Sequence, residues 1–265
     1  MLIFFILLLI GCSNEEKEKK LVEEVEETSS HQEDGKKEEV EEVSIVEETV
    51  ALPIEPQYEI NPNTWSVEPT GDSSANVVLL TIDDAPDKYS LEMAKTLERI
   101  GVKAIFFVNG HFIDTEEEAE RLKAIHELGF PIGNHTYSHS NLSKLSEAEQ
   151  RKEIVALNDR VEEIIGERPK FFRAPFGVNT DFSRKIAEEE KMLIMNWTYG
   201  YDWEKDYQSK EAIGEIMVNT PFLKNGANLL MHDRAWTHEA LENIVNGIKG
   251  KGFEIVDPVS IKTPK

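Results

Sequence analysis

One cysteine in 265 residues, and 29 basic side chains against 51 acidic ones, set the first limits on this chain. A single Cys cannot form an internal disulfide, so stability must come from packing. The scarcity of Lys and Arg excludes a nucleic-acid binder, which needs a basic face to grip phosphates. The densest basic run is Lys17, Lys19 and Lys20, and Glu18 interrupts it. The N-terminal apolar run, Leu2 to Ile10, is too short for a membrane-spanning helix, which needs about 20 residues. It has the size of a signal-peptide core instead. What is present in quantity is apolar residue: 40% of the chain is hydrophobic, enough for a sizeable core and against disorder throughout.

The charge is unevenly placed. Residues 13–50 hold 15 acids and 5 Lys, a net of −10, which leaves −12 for residues 51–265. The pattern predicts three parts: a signal peptide at 1–11, an acidic, disordered tether at 12–70 closed by Pro53, Pro56, Pro62 and Pro69, and a folded domain at 71–265. Leu9-Ile10-Gly11-Cys12 resembles the lipobox of bacterial lipoproteins. That resemblance implies cleavage before Cys12, lipidation of Cys12, and a diacyl anchor holding the chain at the extracytoplasmic face of the membrane. No Lys or Arg precedes the apolar run, so either a segment lies upstream of Met1 or the amino terminus supplies the positive charge. A flexible tether of this length reaches on the order of 40 Å, which lets the domain work away from its anchor.

From residue 71 the texture alternates between short apolar runs and helical periods. Strands are expected at Val77 to Ile82, Ala104 to Val108, Pro131 to Gly133, Lys170 to Phe172, Met192 to Trp197, Asn228 to Met231 and Phe253 to Val256. Between them lie helix signatures: Ser90 before Leu91, Met93, Ala94 and Leu97 with Gly101 as the stop, and capping boxes at Thr115/Glu118 and Ser146/Glu149. Further helices are expected near residues 180 to 190, 209 to 219 and 237 to 249. Strict alternation implies parallel pairing. The predicted fold is therefore α/β, a distorted (β/α) barrel of about seven parallel strands, with an open doubly wound sheet as the alternative. Either architecture puts chemistry at the carboxyl ends of the strands.

Scarce residues gather at those ends. Asp83-Asp84, Asn109 and His111, Asn134, His135 and His139, Arg173, Trp197 with Asp202-Trp203, and His232-Asp233 each follow a predicted strand. His126, His31 and His238 fall elsewhere and need no special role. His135 and His139 with a carboxylate from another strand make a three-ligand nitrogen and oxygen set, suited to Zn²⁺ with an open fourth position.

Taken in order, Thr81-Ile82-Asp83-Asp84-Ala85-Pro86, Asn134-His135-Thr136-Tyr137-Ser138-His139, Arg173-Ala174-Pro175-Phe176-Gly177, Asp202-Trp203 and Leu229-Leu230-Met231-His232 resemble the five motifs of the polysaccharide deacetylases with a NodB-homology domain, carbohydrate esterase family 4. The resemblance implies Asp83 as general base and Asp84, His135 and His139 as ligands of a divalent metal, Zn, Co or Ni. It implies Arg173 as the group orienting the base, the Phe176 amide as an oxyanion donor, Trp203 and Leu230 as walls of the acetyl pocket, and His232 as general acid. The implied reaction is N-deacetylation of amino sugars in a cell-envelope polysaccharide such as peptidoglycan. The implied partners are that glycan and a lipid anchor, with the chain a monomer.

The chain departs from the family pattern at three places. Ala85 stands where the first motif usually has Gly, which requires a turn that keeps residue 85 out of the left-handed region. Ile82 replaces the usual Phe. The fourth motif lacks the earlier of its two usual acids, with Gly200 near that place, so His232 is left to borrow Asp202 or Asp233. Two further readings follow from these changes: a catalytically silent glycan-binding lipoprotein, and an esterase acting on O-acetyl groups through the same site.

Overall fold

The computed structural model describes residues 55–265. The expectations for Leu2 to Ile10, for Cys12 and for the acidic stretch up to residue 54 lie outside the described residues. No helix among the described residues is long and apolar enough to cross a membrane.

Seven parallel strands form the predicted barrel: β3 (Val77–Ala85), β4 (Ile105–Val108), β5 (Ile132–Asn134), β6 (Phe171–Phe172), β7 (Leu193–Ile194), β8 (Ala227–His232) and β9 (Glu254–Ile255), numbered after an N-terminal hairpin described below. They run in the order β7-β6-β5-β4-β3-β8, with β9 on the first residues of β3. A lone parallel bridge from Tyr199 to Leu229 brings the chain beyond β7 against β8. Six helices alternate with the strands: α1 (Ser90–Arg99), α2 (Glu116–Glu127), α3 (Glu147–Ile165), α4 (Asp181–Glu189), α5 (Lys210–Asn219) and α6 (Ala235–Gly250). The boxes at Thr115/Glu118 and Ser146/Glu149 both form, and Gly166 ends α3 at φ 81, a conformation that suits glycine.

The period-2 geometry of β3 divides the core. Val78, Leu80 and Ile82 face the helices, where they pack with Met93, Leu97 and Ile244. Val77 and Leu79 face the barrel interior with Ile105, Phe107 and Phe171. Thr81 and Asp83 continue that inner row upward, so the interior changes from apolar to polar toward the carboxyl ends.

Three expectations are corrected. The tether does not reach residue 70. β1 (Tyr58–Ile60) pairs antiparallel with β2 (Val67–Pro69), and Tyr58, Ile60 and Val67 are buried in the same cluster as Val77, Leu79 and Phe107. The prolines and glutamates of this stretch mask an apolar alternation whose inward face covers the interior cluster. Val67 donates to the Gly226 carbonyl at 2.8 Å, and a Cβ on Gly226 would stand 2.2 Å from the Val67 oxygen, so only glycine admits the hairpin there.

The fifth barrel strand is Leu193–Ile194 rather than Met192 to Trp197. Beyond Ile194, the carbonyls of Met195 and Asn196 turn to the Arg173 side chain, at 3.3 and 2.9 Å. Finally, Ser90, the expected start signal before Leu91, does not cap α1 with its own side chain; the helix is capped from a distance. The Asp233 carboxylate accepts from the amides of Lys88 (3.0 Å), Tyr89 (2.7 Å) and Ser90 (2.8 Å), and from the Ser90 hydroxyl (2.6 Å).

Because the hairpin fills the interior cluster, Ile60→Ala should destabilise the domain by about 2–4 kcal/mol. A chain starting at residue 71 should unfold at lower denaturant than one starting at 55. Coincident urea curves for the two chains would show that the hairpin is dispensable.

Candidate active site

The sheet irregularity at the end of β3 creates the site. Register with β4 shifts between Ile82 and Ala85, and Asp84 takes φ 58. Regular alternation would send neighbouring carboxylates to opposite faces; this bulge lets Asp83 and Asp84 line one cavity. The left-handed residue is Asp84, while Ala85 stays outside that region as expected.

Asp83 is 2% exposed and Arg173 is fully buried. Arg173 Nη1 donates to Asp83 Oδ1 and to Thr81 Oγ1, both at 2.7 Å, and the guanidinium stacks 4.3 Å from the Phe107 ring. Burial pulls the Arg173 pKa below the ordinary guanidinium value, with Asp83 resisting. The expected orienting role of Arg173 thus has a direct geometric basis. Asp83 Oδ2 lies 3.5 Å from His135 Nε2.

Asp84, His135 and His139 offer ligand atoms that all lie within 4.8 Å of one another. His135 Nδ1 contacts the Arg173 carbonyl at 2.7 Å, which assigns the ring proton to Nδ1 and leaves the Nε2 lone pair for a cation. Burial pushes the His135 pKa below the ordinary imidazole value despite Asp83 and Asp84 nearby, so the ring is kept neutral. Burial would raise Asp84, but His232, His135, His139 and Arg234 together outweigh it and hold the carboxylate ionised. Two imidazoles and one carboxylate are a fitting donor set for a divalent transition ion.

The His loop is held from behind. Asn134 Oδ1 accepts from the Thr136 amide at 2.9 Å, and its Nδ2 donates to Asn158 on α3 at 2.7 Å. Asn109 Nδ2 donates to the His135 carbonyl at 2.7 Å. Thr136, His139 and Phe176 all have positive φ, like Asp84, and backbone strain of this kind collects at functional sites.

His232 faces the same cavity, and its Nδ1 lies 2.6 Å from Asp202 Oδ1. Asp202 Oδ2 accepts from the His232 amide (2.6 Å) and from Thr237 Oγ1 (2.8 Å). The acid serving His232 is therefore Asp202; Asp233 is committed to α1. The altered fourth motif leaves His232 partnered after all. A Cβ on Gly200 would stand 2.4 Å from the Leu230 carbonyl, so no acid fits at that position. Burial alone would lower the His232 pKa, but Asp202 outweighs it and the net shift is upward.

Phe176, Trp197, Trp203 and Leu230 complete a cavity of about 370 Å³ around these groups. The Phe176 amide is not used in a backbone hydrogen bond of its turn, consistent with the donor role expected of it. Every predicted catalytic, pocket and metal residue of the domain reaches this cavity or, for Arg173, its buried wall. His111 stays outside, bonded to the Tyr137 carbonyl at 2.9 Å. Sequence reasoning missed Arg234, whose Nη2 donates to Asp84 Oδ2 at 2.9 Å. Its position two residues past His232, at the same strand end, is the signal that could have found it.

Comparison with known proteins shows which family the chain resembles. A family model for polysaccharide deacetylase matches residues 70–195. The peptidoglycan-N-acetylglucosamine deacetylase of Bacillus cereus is 33% identical over 196 residues, covering 71% of this chain and 69% of that protein. The chain belongs to the polysaccharide deacetylase family. Among solved structures of the family, the Bc1960 peptidoglycan N-acetylglucosamine deacetylase superposes with a TM-score of 0.64 at 30% identity, covering 72% of this chain and 90% of that one. A family pseudoenzyme from Bacillus anthracis gives 0.61 at 28% identity, over 68% of this chain and 63% of that one.

The Asp202–His232 pair sets a pH expectation. The folded-state pKa of His232 lies above its unfolded value, near ~6.5. Its stabilising contribution is therefore complete below the unfolded value and fades as pH rises through the folded one. In Asp202→Asn the NMR titration midpoint of His232 should move down. An unchanged midpoint would show that Asp202 does not set it.

Proposed function

We propose that this chain is a metal-dependent hydrolase that removes N-acetyl groups from amino sugars of a cell-envelope polysaccharide of the peptidoglycan kind. One observation carries the reading. Two polar pairs, Arg173–Asp83 and Asp202–His232, converge on one cavity with the Asp84, His135 and His139 donor set. The relatives named for peptidoglycan deacetylation support the substrate class.

Asp84, His135 and His139 would hold the cation. When bound, a divalent ion there supplies a polarised acetamide carbonyl and a water of lowered pKa. Asp83, held through Oδ1 by Arg173, has Oδ2 left to take the proton of the attacking water. The Phe176 amide donates to the oxygen that gains negative charge as the carbon becomes tetrahedral. His232, with Nδ1 on Asp202, has Nε2–H to give to the departing nitrogen, so the C–N bond breaks to amine and acetate. Trp203, Leu230 and Trp197 provide an apolar wall for the acetyl methyl.

The silent reading rested on the altered first and fourth motifs. Asp84 takes the left-handed turn that Ala85 avoids, and Asp202 partners His232, and both features support the active reading. The O-acetyl esterase reading uses the same groups, but an amide nitrogen must be protonated to leave whereas an ester oxygen depends on this less, so the well-partnered acid His232 favours the amide. We also place the chain, as a monomer, at the extracytoplasmic membrane face through Cys12, on the strength of the lipobox resemblance. Fatty-acid labelling that persists in Cys12→Ala would refute that placement.

Acetate release from N-acetylglucosamine oligomers or peptidoglycan fragments should require Zn²⁺, Co²⁺ or Ni²⁺ and disappear with chelator. Asp83→Asn should lower kcat by about 10²–10⁴-fold while the protein still binds metal. If the metal-loaded chain frees no acetate from a broad panel of N-acetylated glycans, the reading fails. Faster release from O-acetylated sugars would favour the esterase.

A further inference from the structure

Arg234 stands where local rules would not put it. It is the N-cap of α6, at φ −132 and ψ 148, and its side chain makes no capping bond to that helix. An Arg there cannot accept from the free amides of the first turn, and its charge sits at the positive end of the helix dipole. Ser, Thr or Asp would serve α6 better. Its backbone is nevertheless fixed, since the Arg234 amide donates to the His232 carbonyl at 2.8 Å and its carbonyl accepts from the His238 amide at 2.9 Å. The position supplies reach instead. Arg234 Nη2 donates to Asp84 Oδ2 at 2.9 Å, and Nη1 donates to the Asp233 carbonyl at 3.2 Å. These two bonds hold the guanidinium against one oxygen of Asp84. The other oxygen, Oδ1, is the one that lies 3.5 Å from His139 Nε2, within the donor set. The Asp233 carboxylate does not compete for Arg234, because it is committed to the amides opening α1.

We infer that Arg234 is a positioning residue that decides which cation the site accepts. By occupying Asp84 Oδ2 it leaves Oδ1 as the single carboxylate oxygen beside His135 and His139, and so favours ions of the Zn²⁺ kind over oxygen-seeking ions of the Mn²⁺ kind. The inference rests on the metal-binding part of the proposed function and is independent of which sugar is attacked. A carboxylate with both oxygens free can serve as a two-oxygen ligand, which suits ions that collect about six or more oxygen donors. With one oxygen held by a guanidinium, it offers one donor. Two imidazole nitrogens and one oxygen then match a tetrahedral ion that keeps a position open for water. A guanidinium suits this task because its planar fork fixes the carboxylate as well as bonding it, which the point charge of Lys does less well. Its charge has a separate effect, weakening every divalent ion alike. The ratio of two affinities cancels that effect and isolates the positioning.

The test titrates the full-length wild-type chain, Arg234→Met and Arg234→Lys with Zn²⁺ and with Mn²⁺ against a chromophoric chelator. Binding that is lost in His139→Ala is the binding counted at this site. Arg234→Met should lower the ratio of the Mn²⁺ Kd to the Zn²⁺ Kd by about 10- to 100-fold, and Arg234→Lys should lower it less. If both Kd values move together and the ratio stays put, Arg234 acts by charge alone and the inference is overturned. Coordination is read separately from Co²⁺, whose visible absorption is stronger in a four-coordinate site than in one with more ligands. That absorption should weaken in Arg234→Met, and identical wild-type and variant spectra would likewise overturn the inference. Urea unfolding without metal shows whether Arg234→Met is folded as the wild type is; if it is not, Arg234→Gln is held to the same ratio. A chain that prefers Zn²⁺ as described but frees no acetate from any glycan loses the deacetylase reading and keeps this one. A chain that binds neither ion at His139 loses both.

Discussion

The buried ion pair between Arg173 and Asp83 is the constraint from which the rest of the site follows. Charges this deeply enclosed are costly unless paired and fully hydrogen-bonded, and losing one partner of such a pair typically costs about 3–5 kcal/mol. Arg173 meets that demand with Asp83, Thr81 and the carbonyls of Met195 and Asn196. Each contact has a structural consequence. Thr81 passes its own proton on to the Leu229 carbonyl, which links β3, β6 and β8 across the barrel interior. The two carbonyls cut short the regular pairing of β7. Asp83 is left with one oxygen occupied and one facing the chemistry.

The same economy of oxygens and nitrogens recurs around the cavity. Asp202 gives one oxygen to the His232 ring and the other to the His232 amide and Thr237. His135 gives Nδ1 to the Arg173 carbonyl and keeps Nε2 for the donor set. Asp84 gives Oδ2 to Arg234, while its Oδ1 lies 3.5 Å from His139 Nε2. In every case a hydrogen bond on the outer atom orients the inner one. Mobile side chains become fixed donors and acceptors before any ligand arrives, which is the condition for electrostatic work in a low-dielectric site.

The strand ends were legible in the chain because a parallel barrel forces its loops to one rim, and scarce His, Asp, Arg and Trp residues after apolar runs mark that rim. The hairpin Tyr58–Pro69 was not legible: its apolar alternation spans only three residues per strand and is flanked by Pro and Glu, which composition alone assigns to the tether. Nor could the chain reveal which of two acids serves His232. Asp233 is adjacent in sequence, yet it points to the amides opening α1, whereas Asp202, 30 positions away, meets the ring. His232 and Asp233 point apart, and the partner that meets the His232 ring comes from a different βα unit.

The sequence by itself determined the alternation of strand and helix, the rim on which chemistry gathers, and the residue types of the donor set, because periodicity and side-chain chemistry are local properties. Only the tertiary structure decided how those groups share their atoms. The bulge that turns Asp83 and Asp84 into one cavity, the pairing of Asp202 with His232, and the placing of Arg234 on Asp84 each depend on distances between separate strands, and local pattern carries no information about those distances.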